Sequence, residues 1–292
     1  MDRKNFIKKS FLGAAGLAAA GSGLKGRRLN AESSTYDKLM QQVGFNHLPN
    51  NERKTMKTVL HKANTRGRAD HGWLDSRHTF SFANYHNPDR MHFGVLRVLN
   101  DDRVASGKGF GTHPHDNMEI ISIPLEGDLQ HQDSMGNTAV IKKGDVQVMS
   151  AGSGITHSEY NKNKDQEVKF LQIWVFPNEK NVQPRYDQIS LSDIALENEF
   201  YQIISPNKSD QGVWIHQNAW FHMGEFTQPV STRYSLKKEG NGIYAFVLNG
   251  EFVIDDQTLN ERDGLGIWDT KEINIKATSG SKLLLMEIPM NL

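Results

Sequence analysis

The sequence predicts an all-β protein built from two related β-units in tandem, and three observations carry that prediction. Short runs rich in β-branched and aromatic residues recur at close spacing: "HFGVLRVLN", "EIISIPL", "TAVI" and "VKFLQIWVF". Turn residues punctuate them, "DD", "EGD", "KKGD" and "PNEK" in that order, which is the grammar of a sandwich or barrel. The third observation is an internal echo. "LEGDLQHQDSMGNTAVIKKGDVQVM" (125–149) has a counterpart in "LNGEFVIDDQTLNERDGLGIW" (248–268), each starting Leu-x-Gly-acid and returning through a Gly–Asp or Asp–Gly corner into an apolar strand. Two units of about 100 residues follow, joined near 176–188. Sustained helical periodicity is scarce; 33–44 and 190–200 are the better candidates for short helices.

The chain has 292 residues, 37% of them hydrophobic, enough for two domains with ordinary cores. Lys plus Arg and Asp plus Glu are equal at 34 each, so the basic excess that accompanies nucleic-acid binding is absent and no such partner is expected. The lack of cysteine removes disulfides, thiolate zinc sites, iron–sulfur clusters and cysteine nucleophiles. Any metal must be held by nitrogen and oxygen. Residues 1–30 read as an export signal: Arg3, Lys4, Lys8 and Lys9 precede an apolar run from Phe11 to Ala20. That run is shorter than the roughly 20 residues of a membrane-spanning helix. "DRKNFIK" resembles a twin-arginine signal with Lys4 where the second arginine normally stands, so the expected location is the periplasm, without stable membrane insertion once the signal is removed. Residues 31–56 read as a polar tether, 57–180 as the first β-unit and 181–292 as the second.

The chemistry concentrates in "GTHPHDNMEI" (111–120). Residues i and i+2 of a strand share a face, so His113 and His115 point the same way. The spacing recurs in "GITHSEYN", where His157 and Glu159 stand at i and i+2, and the intervening strands are long enough to return beside the first. Three imidazoles and one carboxylate suit a divalent first-row metal with positions left open for water or substrate. Imidazole and carboxylate donors alone do not choose among iron, manganese, nickel and copper.

"GKGFGTHPHDNMEIISIPLEG" resembles the first cupin motif, with Gly107, His113, His115, Glu119 and Gly127 in register and the final spacing one residue longer than the general pattern. "GDVQVMSAGSGITHSEYN" resembles the second, through Gly144, Gly152, His157 and Asn161, with Ser150 where many cupins carry proline. More narrowly, "HGWLDSRHTFSFANY", "THPHDNMEI", "HQDSMGN" and "MSAGSGITHSE" together resemble the pirin family over residues 57–292. The resemblance implies two tandem cupin domains, which are jelly-roll β-barrels. It implies a metal held by His113, His115, His157 and Glu159, expected to be Fe(II), with Mn, Ni, Cu or Zn as alternatives. Glu119, the ligand of many other cupins, is then left to pack or hydrogen-bond nearby.

The resemblance further implies a quercetin 2,3-dioxygenase activity, with a small aromatic flavonol and O2 as substrates and Glu159 as the residue that takes the substrate proton. Two alternatives stay open: a metal-dependent sensor or partner-binding protein, and a cupin isomerase or lyase that needs no O2. The second unit lacks a comparable site. Matching its glycines to those of the first puts Leu236 and Lys238 opposite His113 and His115, and Ala277 and Ser279 opposite His157 and Glu159. Elsewhere, "GWLDSRHTFSF" is expected to close the first barrel, with His78 packed there or supporting the site. His131 and Asp133 read as a solvated hairpin end or as a second polar pair. Phe110, Met149 and Trp174 are candidate pocket walls, and His216 and His222 are packing or surface residues. A monomer is expected.

Overall fold

The computed structural model describes residues 55–292. The proposed export signal (1–30), the tether apart from its last two residues, and the candidate helix at 33–44 lie outside the described residues. Apart from two single 3-10 turns, Ala63–Thr65 and Leu191–Asp193, the regular elements are strands. The candidate helix at 190–200 shrinks to the second of these turns, which has no apolar face to bury beyond Leu191.

The chain enters with β1 (Lys57–His61) and β2 (Gly67–Asp70), then β3 (Leu74–His78) and β4 (Leu96–Val104). The "GTHPH" segment forms β5 (Gly109–His115), followed by β6 (Glu119–Glu126), β7 (Leu129–Asp133) and β8 (Thr138–Ile141). The first unit closes with β9 (Asp145–Ser150), β10 (Ile155–Asn161) and β11 (Val168–Val175). After β12 (Arg185–Ser190) come β13 (Phe200–Ser205), β14 (Val213–Trp214), β15 (Trp220–Phe226) and β16 (Val230–Ser235). The second unit continues with β17 (Asn241–Asn249), β18 (Phe252–Ile254) and β19 (Gln257–Leu259). It ends with β20 (Gly264–Trp268), β21 (Glu272–Ala277) and β22 (Ser281–Pro289).

Each unit is a two-sheet barrel, as expected. The first joins a seven-stranded sheet, β12-β9-β6-β11-β4-β3-β2, to a four-stranded one, β5-β10-β7-β8. The second repeats the plan with β1-β20-β17-β22-β15-β13-β14 and β16-β21-β18-β19. The edge strands correct the division at 180. β1 precedes the first barrel but pairs with β20 of the second, Lys57 opposite Trp268 and His61 opposite Gly264. β12 follows the first barrel yet pairs with its β9, Arg185 opposite Ser150. One edge of each seven-stranded sheet is thereby formed by a strand from outside its own contiguous unit, which ties the barrels together.

The two large sheets share a core. Ile121, Ile123, Leu171 and Ile173 of the first barrel join Phe221, Met223, Phe246 and Leu284 of the second in one buried cluster. Alternation sends the neighbouring residues the other way, into the barrel interiors. Ile120 and Trp174 belong to an interior cluster of the first barrel, and Ala245 and Leu285 to the interior of the second. Both faces of these strands are buried, which is why "EIISIPL" and "VKFLQIWVF" read as nearly continuous apolar runs. Ser122 and Gln172 are buried polar residues in the middle of these runs.

Candidate metal centre

β5 and β10 run antiparallel with His157 opposite His113 and Ile155 opposite His115. This register gathers the three imidazoles inside the first barrel. Their ring centroids are 4.9 Å (His113–His115), 4.4 Å (His113–His157) and 4.9 Å (His115–His157) apart. One nitrogen from each lies within 4.8 Å of the others, and all three side chains are buried. Two local features hold them there. The ladder slips between His157 and Glu159, where Phe110 stands opposite Glu159, so β5 carries a bulge beside the cluster; bulges re-aim side chains in this way. Gly109 lets β5 approach β10 closely, since a Cβ there would lie 2.3 Å from the carbonyl oxygen of Glu159.

The donor chemistry suits a divalent ion. His113 Nδ1 donates to the carbonyl oxygen of Gly111 at 2.7 Å, which can only accept. That bond assigns the proton to Nδ1 and leaves the Nε2 lone pair as donor to a metal. Lys and Arg are absent from the residues lining the cavity, so no fixed cation competes for the space.

Glu159 faces the same cavity, but its carboxylate stands outside the tight three-nitrogen cluster. It accepts from Ser122 Oγ at 3.0 Å and from Gln172 Nε2 at 3.1 Å to each oxygen. The two polar interruptions in otherwise apolar strands thus hold this carboxylate. Glu119 lines no part of the cavity; Ser150 Oγ donates to it at 2.7 Å, and burial pushes its carboxyl up to about 7. The expectation that it hydrogen-bonds rather than ligates agrees with this placement.

The remaining predictions divide. Phe110, Trp174 and His78 line the cavity, whereas Met149 packs below it in the core. His131 is not at a solvated hairpin end: it is fully buried, its ring 5.3 Å from that of His157, and its Nε2 donates to Asp133 Oδ2 at 3.2 Å. Asp133 also accepts from the backbone N–H groups of Met135 and Asn137, fixing the β7–β8 turn. Half-buried His216 packs against Trp214, and buried His222 against Tyr234, as expected of packing residues. Ser76, Asn100, Asp102 and Gln172 complete the wall and were missed. Only Ser122 and Gln172, polar residues in apolar runs, left a trace in the sequence.

Strand pairing corrects the glycine-based matching of the second unit. Leu129 faces Asn161 as Phe252 faces Ala277, so Glu159 corresponds to Ile275, His157 to Ile273 and His113 to Tyr234. Leu236, two residues after Tyr234, takes the place of His115. The glycines misled because the connections between them and the strands differ in length in the two barrels. No metal donor set arises from the corrected positions either.

The cavity itself is small, about 30 Å³. That is room for two or three waters; roughly 150 Å³ is needed to admit one benzene ring. Phe82 closes one side, edge-on to Trp174 at 5.4 Å, and Trp174 in turn packs on His115. No helix among the described residues is long and apolar enough to cross a membrane.

Comparison with known proteins agrees with the fold and with the histidine cluster. A Pirin family model matches residues 59–175, and a model described as the quercetinase C-terminal cupin domain matches residues 202–288. The chain is 42% identical over 230 residues to the quercetin 2,3-dioxygenase of Escherichia coli (strain K12), covering 79% of this chain and 98% of that one. It is 38% identical over 222 residues to a pirin-like protein of Caulobacter vibrioides, covering 76% and 95%. Among solved structures, YhhW from Escherichia coli superposes with a TM-score of 0.77 at 40% identity, covering 81% of this chain and all of that one. The same bacterial pirin has been solved in complex with nickel(II), TM-score 0.76 at 40% identity, covering 80% and 99%. The tandem cupin barrels, the buried histidine triad and these matches together make the chain a member of the pirin family.

Proposed function

We propose that this chain is a metal-dependent dioxygenase that opens a flavonol such as quercetin with O2. The observation that carries the reading is the convergence of His113, His115 and His157 inside the barrel, in a chain similar to a protein named quercetin 2,3-dioxygenase. Three imidazoles would hold the metal, with Fe(II) the proposed occupant; nickel is the ion in the solved complex of the related pirin. When bound, a divalent metal lowers the pKa of a coordinated hydroxyl and so favours the electron-rich substrate anion.

The chain's own residues do the rest. Glu159, the proposed fourth ligand and catalytic base, is held by Ser122 and Gln172 at the edge of the triad, from where a rotation of its side chain would let it ligate or take the substrate hydroxyl proton. His113, fixed in one tautomer by Gly111, presents its lone pair without reorganisation. Phe82 and Trp174 exclude water from the cavity mouth. Admission of a three-ring flavonol requires the Phe82 side to move outward, because the space inside is smaller than a single ring. That volume is also the observation that favours a second reading, in which the natural substrate is a smaller molecule.

The N-terminal signal completes the proposal. Export in folded form through a twin-arginine-like route would let the protein load its metal in the cytoplasm before reaching the periplasm; fractionation that finds the mature chain in the cytoplasm with residues 1–20 intact refutes this. The activity is tested by oxygen uptake of the iron-loaded protein with quercetin, beside His113→Ala. Uptake matching flavonol loss and abolished in the variant supports the reading; a metal-bearing protein that takes up no oxygen refutes it.

A further inference from the structure

The wall of the cavity that faces away from β5 and β10 carries polar groups to which the reaction described above gives no role. His78 and Asn100 stand directly opposite each other on β3 and β4. Both are buried, at 1% and 2% exposure, and both line the cavity. Neither ring nitrogen of His78 has a hydrogen-bond partner, nor has Asn100 Oδ1; the same holds for Gln172 Oε1 and Trp174 Nε1 on the adjoining strand. Buried polar atoms are almost always paired, so five such atoms around one cavity call for a hydrogen-bonding occupant there, a ligand or ordered water.

We propose that His78 and Asn100 form a second, metal-free pole of the site, which hydrogen-bonds a hydroxyl group of the substrate and selects neutral hydroxylated molecules over carboxylates. The proposal rests on reading the histidine triad as the reacting end of the cavity. Two independent features decide the chemical class. The first is the balance of donors and acceptors. Asn100 Oδ1 and Gln172 Oε1 only accept, Trp174 Nε1 only donates, and a neutral His78 does one of each. A hydroxyl, which both donates and accepts, satisfies this set, whereas a carboxylate leaves the acceptors facing its own oxygens. Burial supports the neutral form by lowering His78 to about 4.

The second feature is charge. Asp102 and Glu159 both line the cavity, and no Lys or Arg does. The wall therefore offers no fixed side-chain cation to pair with an anion. Asp102 accepts from Ser76 Oγ, which orients it within the wall beside Asn100.

The test is calorimetric titration of the full-length, nickel-loaded protein with catechol and with benzoate, in the absence of O2. Catechol should bind at least tenfold more tightly than benzoate. His78→Phe and Asn100→Leu should each weaken catechol binding by roughly three- to tenfold, the range for one buried uncharged hydrogen bond. His78→Gln, which keeps a donor and an acceptor, should recover part of the loss, and nickel content should stay at the wild-type level throughout. No catechol binding by the wild type, benzoate binding as tight as catechol, or catechol affinity unmoved by both substitutions overturns the proposal. Oxygen uptake with quercetin separates this inference from the reaction. Catechol binding through His78 without uptake leaves the pole standing and removes the dioxygenase; uptake with affinity insensitive to His78 and Asn100 does the reverse.

Discussion

The two barrels share a strand plan and differ in what fills them. The interior of the second is one continuous cluster, from Phe226 through Ile243 and Ile273 to Leu285. The interior of the first is split into an apolar end around Phe110 and Phe170 and another around Ile120 and Trp174, with the polar cavity between. Position by position, Glu159 gives way to Ile275 and His157 to Ile273. The second barrel also lacks the bulge: Ile273 and Ile275 face Tyr234 and Thr232 without a register shift. Its buried Glu287 instead sits in a closed polar cluster. Glu287 accepts from Tyr234 Oη and Asn241 Nδ2 and from the backbone N–H groups of Lys237 and Lys238, leaving nothing for a ligand. The same framework thus yields a cavity lined by unpaired polar atoms in the first barrel and, around Glu287 in the second, a polar cluster closed on itself.

Removing a triad member should break the contrast most completely. His157→Ala is expected to abolish stoichiometric nickel or iron binding, measured by elemental analysis after dialysis, whereas Tyr234→Phe in the second barrel should leave metal content unchanged. Metal retained in the first variant would show that the triad is not the site. Next comes Ile275→Ala, the counterpart of Glu159. It should cost about 2–5 kcal/mol of stability in denaturant unfolding through the cavity it leaves, with metal content intact.

Titration gives a sharper and smaller comparison, one group in each barrel with opposite sign. Glu119 is raised in the folded state by burial, so the stability it confers is present at low pH and lost as pH rises from its ordinary value near 4.5 toward 7. Glu119→Gln should therefore gain on the wild type above pH 7, by at most about 3 kcal/mol, and match it near pH 4. His222 is lowered by burial to about 4, so its contribution is present above pH 6.5 and lost as pH falls toward 4. His222→Gln should flatten that acid limb. Unfolding curves across pH 4–8 that fail to move in opposite senses would show that these groups do not titrate as buried singles. The smallest effect is expected at Gln172. Its replacement by Leu removes the Nε2 donor from Glu159 and should weaken metal affinity by about tenfold, read in competition with a chelator.

How far the sequence reached can be judged from particular residues. His113 and His115 were legible because the period of a strand is local: two residues apart means one face, whatever the rest of the chain does. Glu159 was legible as a member of the site, but its attachment to Ser122 and Gln172 was not, since those partners lie 37 and 13 residues away on other strands. His131 was left ambiguous because its i+2 relation to Asp133 looks the same on a wet hairpin as in a barrel wall. His78 showed only as one residue of an aromatic-rich strand, because its importance comes from Asn100 beside it and from the three histidines across the cavity.

By itself, then, the sequence determined the strand grammar, the duplication and the same-face pairs His113/His115 and His157/Glu159, each read from short stretches of the chain. The tertiary structure alone decided that β1 and β12 change places between barrels, that the polar wall of Ser76, His78, Asn100 and Asp102 meets the triad, and that the space between them is about 30 Å³. Those properties depend on pairings between strands far apart in the chain. No local pattern encodes which side chains such pairings bring together, or how much room they leave.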